Sequence, residues 1–176
     1  RKVQFLETRA ITVARPNQFR AEETRSDGHS DLMLFDGSHI TVFNGDNRVF
    51  ARADQPGSVD DAIIYFVRDL RMRLPLAPLF STRFPTEISE NLKFADYVET
   101  SYAFSNSAEQ VAGSTKAVDF QVWIAVGDKP LPLRIVMTYK NDPGQPQFWA
   151  DFVDWNLRPH ITKNSFAFKP PADAQQ

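Results

Sequence analysis

The chain has 176 residues, 42% hydrophobic and 24% charged, with a net charge of −2 and no cysteine. This is the balance of an ordinary globular chain and predicts a single domain over residues 1–176, able to bury roughly 70% of its extended surface without disulfide or metal. Near-neutrality argues against a nucleic-acid protein, the lack of cysteine excludes thiol catalysis and zinc ribbons, and no apolar run approaches the roughly 18 residues that would predict a transmembrane segment.

The chain opens Arg1-Lys2-Val3-Gln4-Phe5 without an initiator Met, which reads as a mature or truncated chain with any signal peptide, lipid-bearing residue or leading helix upstream. Residues 2–14 alternate as a strand that Pro16-Asn17 breaks. Phe19–Thr24, Asp31–Phe35, His39–Phe43 and Arg48–Ala53 follow as short strands, separated by Ser26-Asp27-Gly28, Asp36-Gly37 and Asn44-Gly45-Asp46-Asn47. The first third therefore reads as an antiparallel meander.

The period then changes. Pro56-Gly57 leads to Ser58, a helix cap, with Asp60 and Asp61 in the first turn. Val59, Ala62, Ile63, Phe66, Val67 and Leu70 recur at helical spacing, and Arg68, Arg71 and Arg73 gather near the end. The spacing predicts a helix over 58–74 that Pro75 stops, with at most a short second helix over Thr86–Leu92. Alternation returns in Phe94–Phe104, Asp119–Val126, Leu131–Lys140, Pro146–Trp155 and Ser165–Lys169. Strands, a helical insertion and strands again predict an α+β fold with one large antiparallel sheet.

Catalytic signatures are scarce: there is no Gly-x-Ser-x-Gly elbow, no phosphate-binding loop, no dinucleotide fingerprint and no His-Glu-x-x-His helix. His29, Asp31, Asp36 and His39 are close in sequence, but their spacing fits no common ligand set and they read as solvated turn residues. Asp151 and Asp154 could form an acid–base pair, yet a separation of three sends them to opposite faces of a strand. Pairing of one of them with Arg134 or Lys140 on the preceding strand is the better reading. His160 reads as an exposed loop residue. No catalytic residue, metal or cofactor is expected, and the protein is read as no enzyme.

The apolar phases are more informative. Phe120, Val122 and Ile124 form one; Leu133, Ile135, Met137 and Tyr139 the next; Phe148, Ala150 and Phe152 a third. The 15 phenylalanines, against 4 Tyr and 3 Trp, imply a large core or an apolar cavity, and both readings stand. The cavity reading is lined by Leu34, Val42, Ile63, Phe66, Phe104, Phe120, Val122, Ile124, Ile135, Met137, Tyr139, Phe148 and Phe152, with the helix as lid. The opposite phases are not polar throughout, since Trp123, Trp149, Trp155 and Val136 lie there, and tryptophans at a sheet surface suit a protein partner instead.

The stretch Phe120-Gln121-Val122-Trp123-Ile124, Pro130-Leu131-Pro132-Leu133-Arg134, Thr138-Tyr139-Lys140, Pro146-Gln147-Phe148 and Asp154-Trp155-Asn156-Leu157 resembles a domain-of-unknown-function family of predicted periplasmic bacterial proteins. Thr12-Val13-Ala14-Arg15-Pro16-Asn17, Phe35-Asp36-Gly37 and Phe166-Ala167-Phe168-Lys169-Pro170-Pro171 fit the same pattern. Such proteins resemble the lipoprotein carriers LolA and LolB. That resemblance implies a half-open antiparallel β-barrel closed by helices around an apolar cavity, here without the leading helix, in the periplasm. The function it implies is non-enzymatic binding of a lipid, acyl chain or lipidated protein. The alternative is a structural or interaction subunit with an envelope protein partner and a side-chain-filled barrel.

Overall fold

The computed structural model describes residues 3–72, 74 and 76–176. Strands β1 (Glu7–Ala14), β2 (Gln18–Arg25), β3 (Ser30–Phe35), β4 (His39–Asn44) and β5 (Val49–Asp54) come first. Helix α1 (Val59–Ile64), a π-helical turn (Tyr65–Asp69), a 3-10 turn (Ala77–Phe80) and helix α2 (Phe84–Asn91) follow. Strands β6 (Phe94–Ala103), β7 (Asn106–Ser114), β8 (Val118–Ala125), β9 (Pro132–Tyr139) and β10 (Gln147–Asp151) complete the chain order. The chain gathers into two compact units: unit 1 is Arg1–Arg83 with Arg158–Gln176, and unit 2 is Phe84–Leu157.

The α+β class holds, but the single large sheet does not. Each unit carries its own five-stranded antiparallel sheet, ordered β1-β2-β3-β4-β5 and β10-β9-β8-β7-β6. Among the described residues every strand-to-strand pairing joins sequence neighbours, so the helical stretch between β5 and β6 separates two meanders, and each sheet stays open rather than closing into a barrel.

In unit 1, register places Phe19, Phe35 and Ile40 in one cross-strand row and Ala21, Met33 and Val42 in the next. This face takes the helical segment. Phe35, Ile40, Ala62 and Phe66 form a buried cluster, with Phe19, Met33, Val42 and Tyr65 packed around it. The segment enters through a capping box: Ser58 Oγ accepts from the Asp61 N–H at 3.2 Å, and the Asp61 carboxylate accepts from the Ser58 N–H at 2.8 Å. It ends earlier than residue 74. The Leu70 N–H reaches back to the Tyr65 carbonyl at 3.0 Å, widening the last turn, and Arg71 then takes φ 52°, which ends the helix. Arg73 and Pro75 lie outside the described residues.

The other face of this sheet carries Leu32 and Leu34, which pack with Phe166 from the C-terminal segment. Ser165–Lys169, expected as a strand, is irregular. Its aromatic residues rather than a ladder anchor it: Phe168 lies 5.9 Å from Phe43 and 5.1 Å from Phe50 between ring centroids. The chain end is tied by a parallel bridge in which the Phe50 N–H donates to the Gln175 carbonyl at 2.8 Å.

In unit 2 the sequence reading lacks β7. Strand β6 turns into it through Phe104 and Ser105, both at positive φ, 50° and 65°. Such a two-residue turn normally announces itself with Asn or Gly. Here the Asn106 side chain donates to the Phe104 carbonyl at 3.2 Å, and the Arg134 guanidinium sits 5.2 Å over the Phe104 ring.

The core of unit 1 makes Phe66 its most informative position, since its side chain is wholly buried while Val67 is 48% exposed. Phe66→Ala should lower unfolding free energy by about 3–5 kcal/mol, and Val67→Ala by less than about 1 kcal/mol. Urea titrations of the two variants measure the difference.

Candidate ligand-binding face

The thirteen residues expected to line one cavity divide between the units. In unit 1, Leu34 and Val42 lie on opposite faces of the same sheet, because β3 and β4 pair Met33 with Val42 and Leu34 with Thr41. One concave surface cannot take both. Phe66 belongs to the packed core, its ring centroid 5.7 Å from that of Phe19, and Ile63 is half-buried on the neighbouring helical turn. The helical segment thus lies on the sheet of its own unit, against Phe35 and Ile40.

Unit 2 brings seven of the remaining nine together. Cross-strand rows run Phe148, Met137, Phe120, Gly113 and Ala150, Ile135, Val122, Val111. Tyr139 lies opposite Val118, and Ile124 continues the β8 phase. Residues directly opposite each other share a face, so the seven form one continuous apolar surface. Only Ile135 is buried, and the others are half-buried. Gly113 is required here: a Cβ on it would collide with the tip of the Phe120 ring, Cζ first and then both Cε carbons at 2.9 Å, so the glycine leaves the space that ring occupies over β7. Toward β6 the surface gains a polar margin, where Tyr97 and Thr100 hydroxyls bond at 2.8 Å and Thr100 donates to Glu109 at 3.3 Å.

Phe104 is not part of this surface, and Phe152, in phase with Phe148 and Ala150, follows the last paired residue of β10. Phe104 sits in the β6–β7 turn beneath Arg134, and Phe152 lies beyond β10, stacked on Trp155 at 5.6 Å. Leu133 also departs from its expected phase. A register shift between Trp123 and Ile124 turns it into a cluster with Ala103, Ala108, Trp123 and Ala125.

The opposite face is laced with polar cross-strand pairs. Arg134 grips Asp151 through two hydrogen bonds, 2.5 and 2.9 Å, one of the pairings left open between Asp151 or Asp154 and Arg134 or Lys140. Gln110 donates to Gln121 at 3.0 Å and Gln147 to Thr138 at 3.1 Å. Trp149, 53% exposed, lies among them.

Ser114, Lys140 and Asp119 give this sheet a constellation that resembles a nucleophile and its base. Lys140 Nζ donates to Ser114 Oγ at 2.7 Å, to the Thr115 carbonyl at 2.6 Å and to Asp119 at 2.8 Å. Three acceptors engage all three ammonium protons, leaving no lone pair to act as base. The group instead staples the β7–β8 hairpin, whose turn is closed by the Ala117 and Val118 N–H groups on Thr115 Oγ1.

The histidines are likewise dispersed. His29 Nδ1 lies 2.7 Å from Asp46, whereas His39 Nδ1 lies 3.3 Å from Asp36. Strand β3 stands between the two turns, about 20 Å long, so His29, Asp31, Asp36 and His39 form no single site. Among the described residues no group of three or more metal-type ligands is present.

One groove had no counterpart in the sequence reading. A groove of about 840 Å³ runs in unit 1 between the Leu32 face of the sheet and the C-terminal segment, lined by Arg20, Glu22, Asp31, Phe43, Phe168 and Lys169 among others. Its charges are largely paired, Arg20 with Glu22 at 2.5 Å and Asp31 with the Gly45 N–H at 2.9 Å. Only the phenylalanines of the C-terminal segment could have signalled it.

Open antiparallel sheets with short helices, one sheet apolar on one side and polar on the other, define an α+β protein whose distinguishing surface is a sheet face. The chain belongs to the family described as predicted periplasmic protein (DUF2092), whose model matches residues 1–176, and this places it in the periplasm. Among solved structures it is similar to that of the Mycobacterium tuberculosis lipoprotein LppX, at 12% identity and a TM-score of 0.47, covering 89% of this chain and 86% of that one. No curated protein matches it. No helix among the described residues is long and apolar enough to cross a membrane.

The hairpin staple has a pH signature. The Asp119 carboxyl is held below the usual carboxylate range, chiefly by the hydrogen bond from Lys140 and then by that from Ser114, against the opposing effect of burial. A depressed folded-state pKa stabilises above the unfolded value near 4, and that stabilisation is lost as pH falls through the folded value. Asp119→Asn should therefore lower the urea midpoint at pH 7 and narrow its fall between pH 7 and pH 3. Parallel titrations at the two pH values check both.

Proposed function

We propose that this periplasmic protein binds an apolar ligand, an acyl chain or the lipid moiety of a larger molecule, on the apolar face of the unit 2 sheet, and that it does so without catalysis. The observation that carries this reading is the row structure of that face. Phe148, Met137 and Phe120 beside Ala150, Ile135 and Val122 make a two-row apolar strip whose side chains, Ile135 apart, are half-buried. A strip of this kind, bounded at one margin by the Tyr97, Thr100 and Glu109 hydrogen bonds, suits an extended hydrocarbon chain with its polar end toward β6. A single sheet face is enough for this, and no concave half-barrel is needed. The family's periplasmic description supplies a compartment where lipids and lipidated proteins are available.

Gently purified protein should carry lipid detectable by native mass spectrometry and should bind a dansyl-labelled fatty acid that unlabelled fatty acid displaces. Val122→Glu, which puts a charge in the strip, should weaken that binding about tenfold or more. Trp149→Glu, on the opposite face, should leave it within about twofold. The reading is overturned by absence of both lipid and displacement, or by equal effects of the two substitutions.

A further inference from the structure

We propose that the outer edge of β6 accepts an extended basic segment of another protein as a sixth strand. Strand β6 is ten residues long and ends its sheet, pairing with β7 alone. Residues Phe94–Thr100 are all exposed, including Phe94 at 51%, Tyr97 at 61% and Val98 at 49%, and Tyr102 further along reaches 79%. Among the described residues no strand pairs on its outer side. A long edge with large apolar side chains and a free row of backbone groups is a template for strand addition. The other outer edges differ: β1 is half-buried from Ile11 to Ala14, β5 is met by Gln175, and β10 has five residues and follows Pro146.

The charge of β6 says which strand fits. Asp96 and Glu99 lie on it, Glu109 lies on β7 opposite Thr100, and no Lys or Arg occurs from Phe94 to Ala103. A second copy would bring a strand carrying the same Asp96 and Glu99, and no Lys or Arg to answer them, to an edge that is already acidic, a repulsive arrangement. The register shift at Val98 adds local twist, which further disfavours pairing of two identical edges. A strand that alternates basic and apolar residues meets neither obstacle. It would lay its cations on Asp96 and Glu99 and its apolar side chains against Tyr97, Val98 and Tyr102. This inference concerns the edge of the sheet rather than the face of the ligand reading, with Tyr97 and Glu109 bordering both.

Fluorescence anisotropy with an eight-residue Lys-Val alternating peptide and its Glu-Val counterpart, joined to amide hydrogen exchange of the whole chain, tests it. The basic peptide should bind and slow exchange within residues 94–103, while the acidic peptide should do neither. Asp96→Asn combined with Glu99→Gln should weaken the basic peptide about tenfold and leave fatty-acid binding and the circular dichroism spectrum unchanged. The proposal is overturned if protection falls outside β6, if both peptides bind equally, or if β6 becomes protected with rising concentration of the chain alone, which would make the occupant a second copy.

Discussion

Side chains on a strand go alternately to opposite faces, and antiparallel register then decides which of them meet. In unit 2 this constraint gathers Phe120, Val122, Ile135, Met137, Tyr139 and Phe148 on one side of the sheet. It sends Arg134, Asp151, Gln110, Gln121 and Lys140 to hydrogen-bonded pairs on the other side or at the hairpin end. The position of Gly113 follows from it as well, since the Phe120 ring needs the space a side chain there would take. A slip of one residue would exchange the two faces, so the cross-strand pairs that hold the register also hold the apolar strip in place.

The two units resolve the same constraint differently. Unit 1 closes one face of its sheet with Ala62 and Phe66 and part of the other with Phe166 and Phe168. Unit 2 has α2, which contributes no buried residue, and its best-buried cluster is made of small side chains around Leu133 on the polar side. The phenylalanines that stood out in the composition therefore do two jobs. Phe19, Phe35 and Phe66 are core, whereas Phe120 and Phe148 remain half-buried on a sheet face.

Where local chemistry and tertiary structure agree, the sequence was legible. Asn44-Gly45-Asp46-Asn47 marks a tight turn, Ser58 and Asp61 mark a helix start, and the alternation of β8 and β9 marks the apolar face. Strand β7 was not legible because Phe104 and Ser105 adopt positive φ without a residue that favours it, held by Asn106 and Arg134, which lies thirty residues away. The helix end was hidden because a π-turn and the positive φ of Arg71, not Pro75, stop it. Ser165–Lys169 has the alternation of a strand, but its phenylalanines serve as anchors for an irregular segment. Of the candidate site, the seven residues on β8, β9 and β10 could be read from periodicity. Leu34, Phe66 and Phe104 could not, since the face they belong to depends on pairing and packing far along the chain.

We propose the apolar strip of unit 2 as a surface for hydrocarbon. Its most direct measurement is photo-crosslinking with a diazirine-bearing fatty acid, followed by peptide mapping of the labelled positions. Labels concentrated on Phe120, Val122, Ile135, Met137 and Phe148, and competed away by unlabelled fatty acid, are the predicted result. Labels confined to unit 1, or spread without competition, would contradict it.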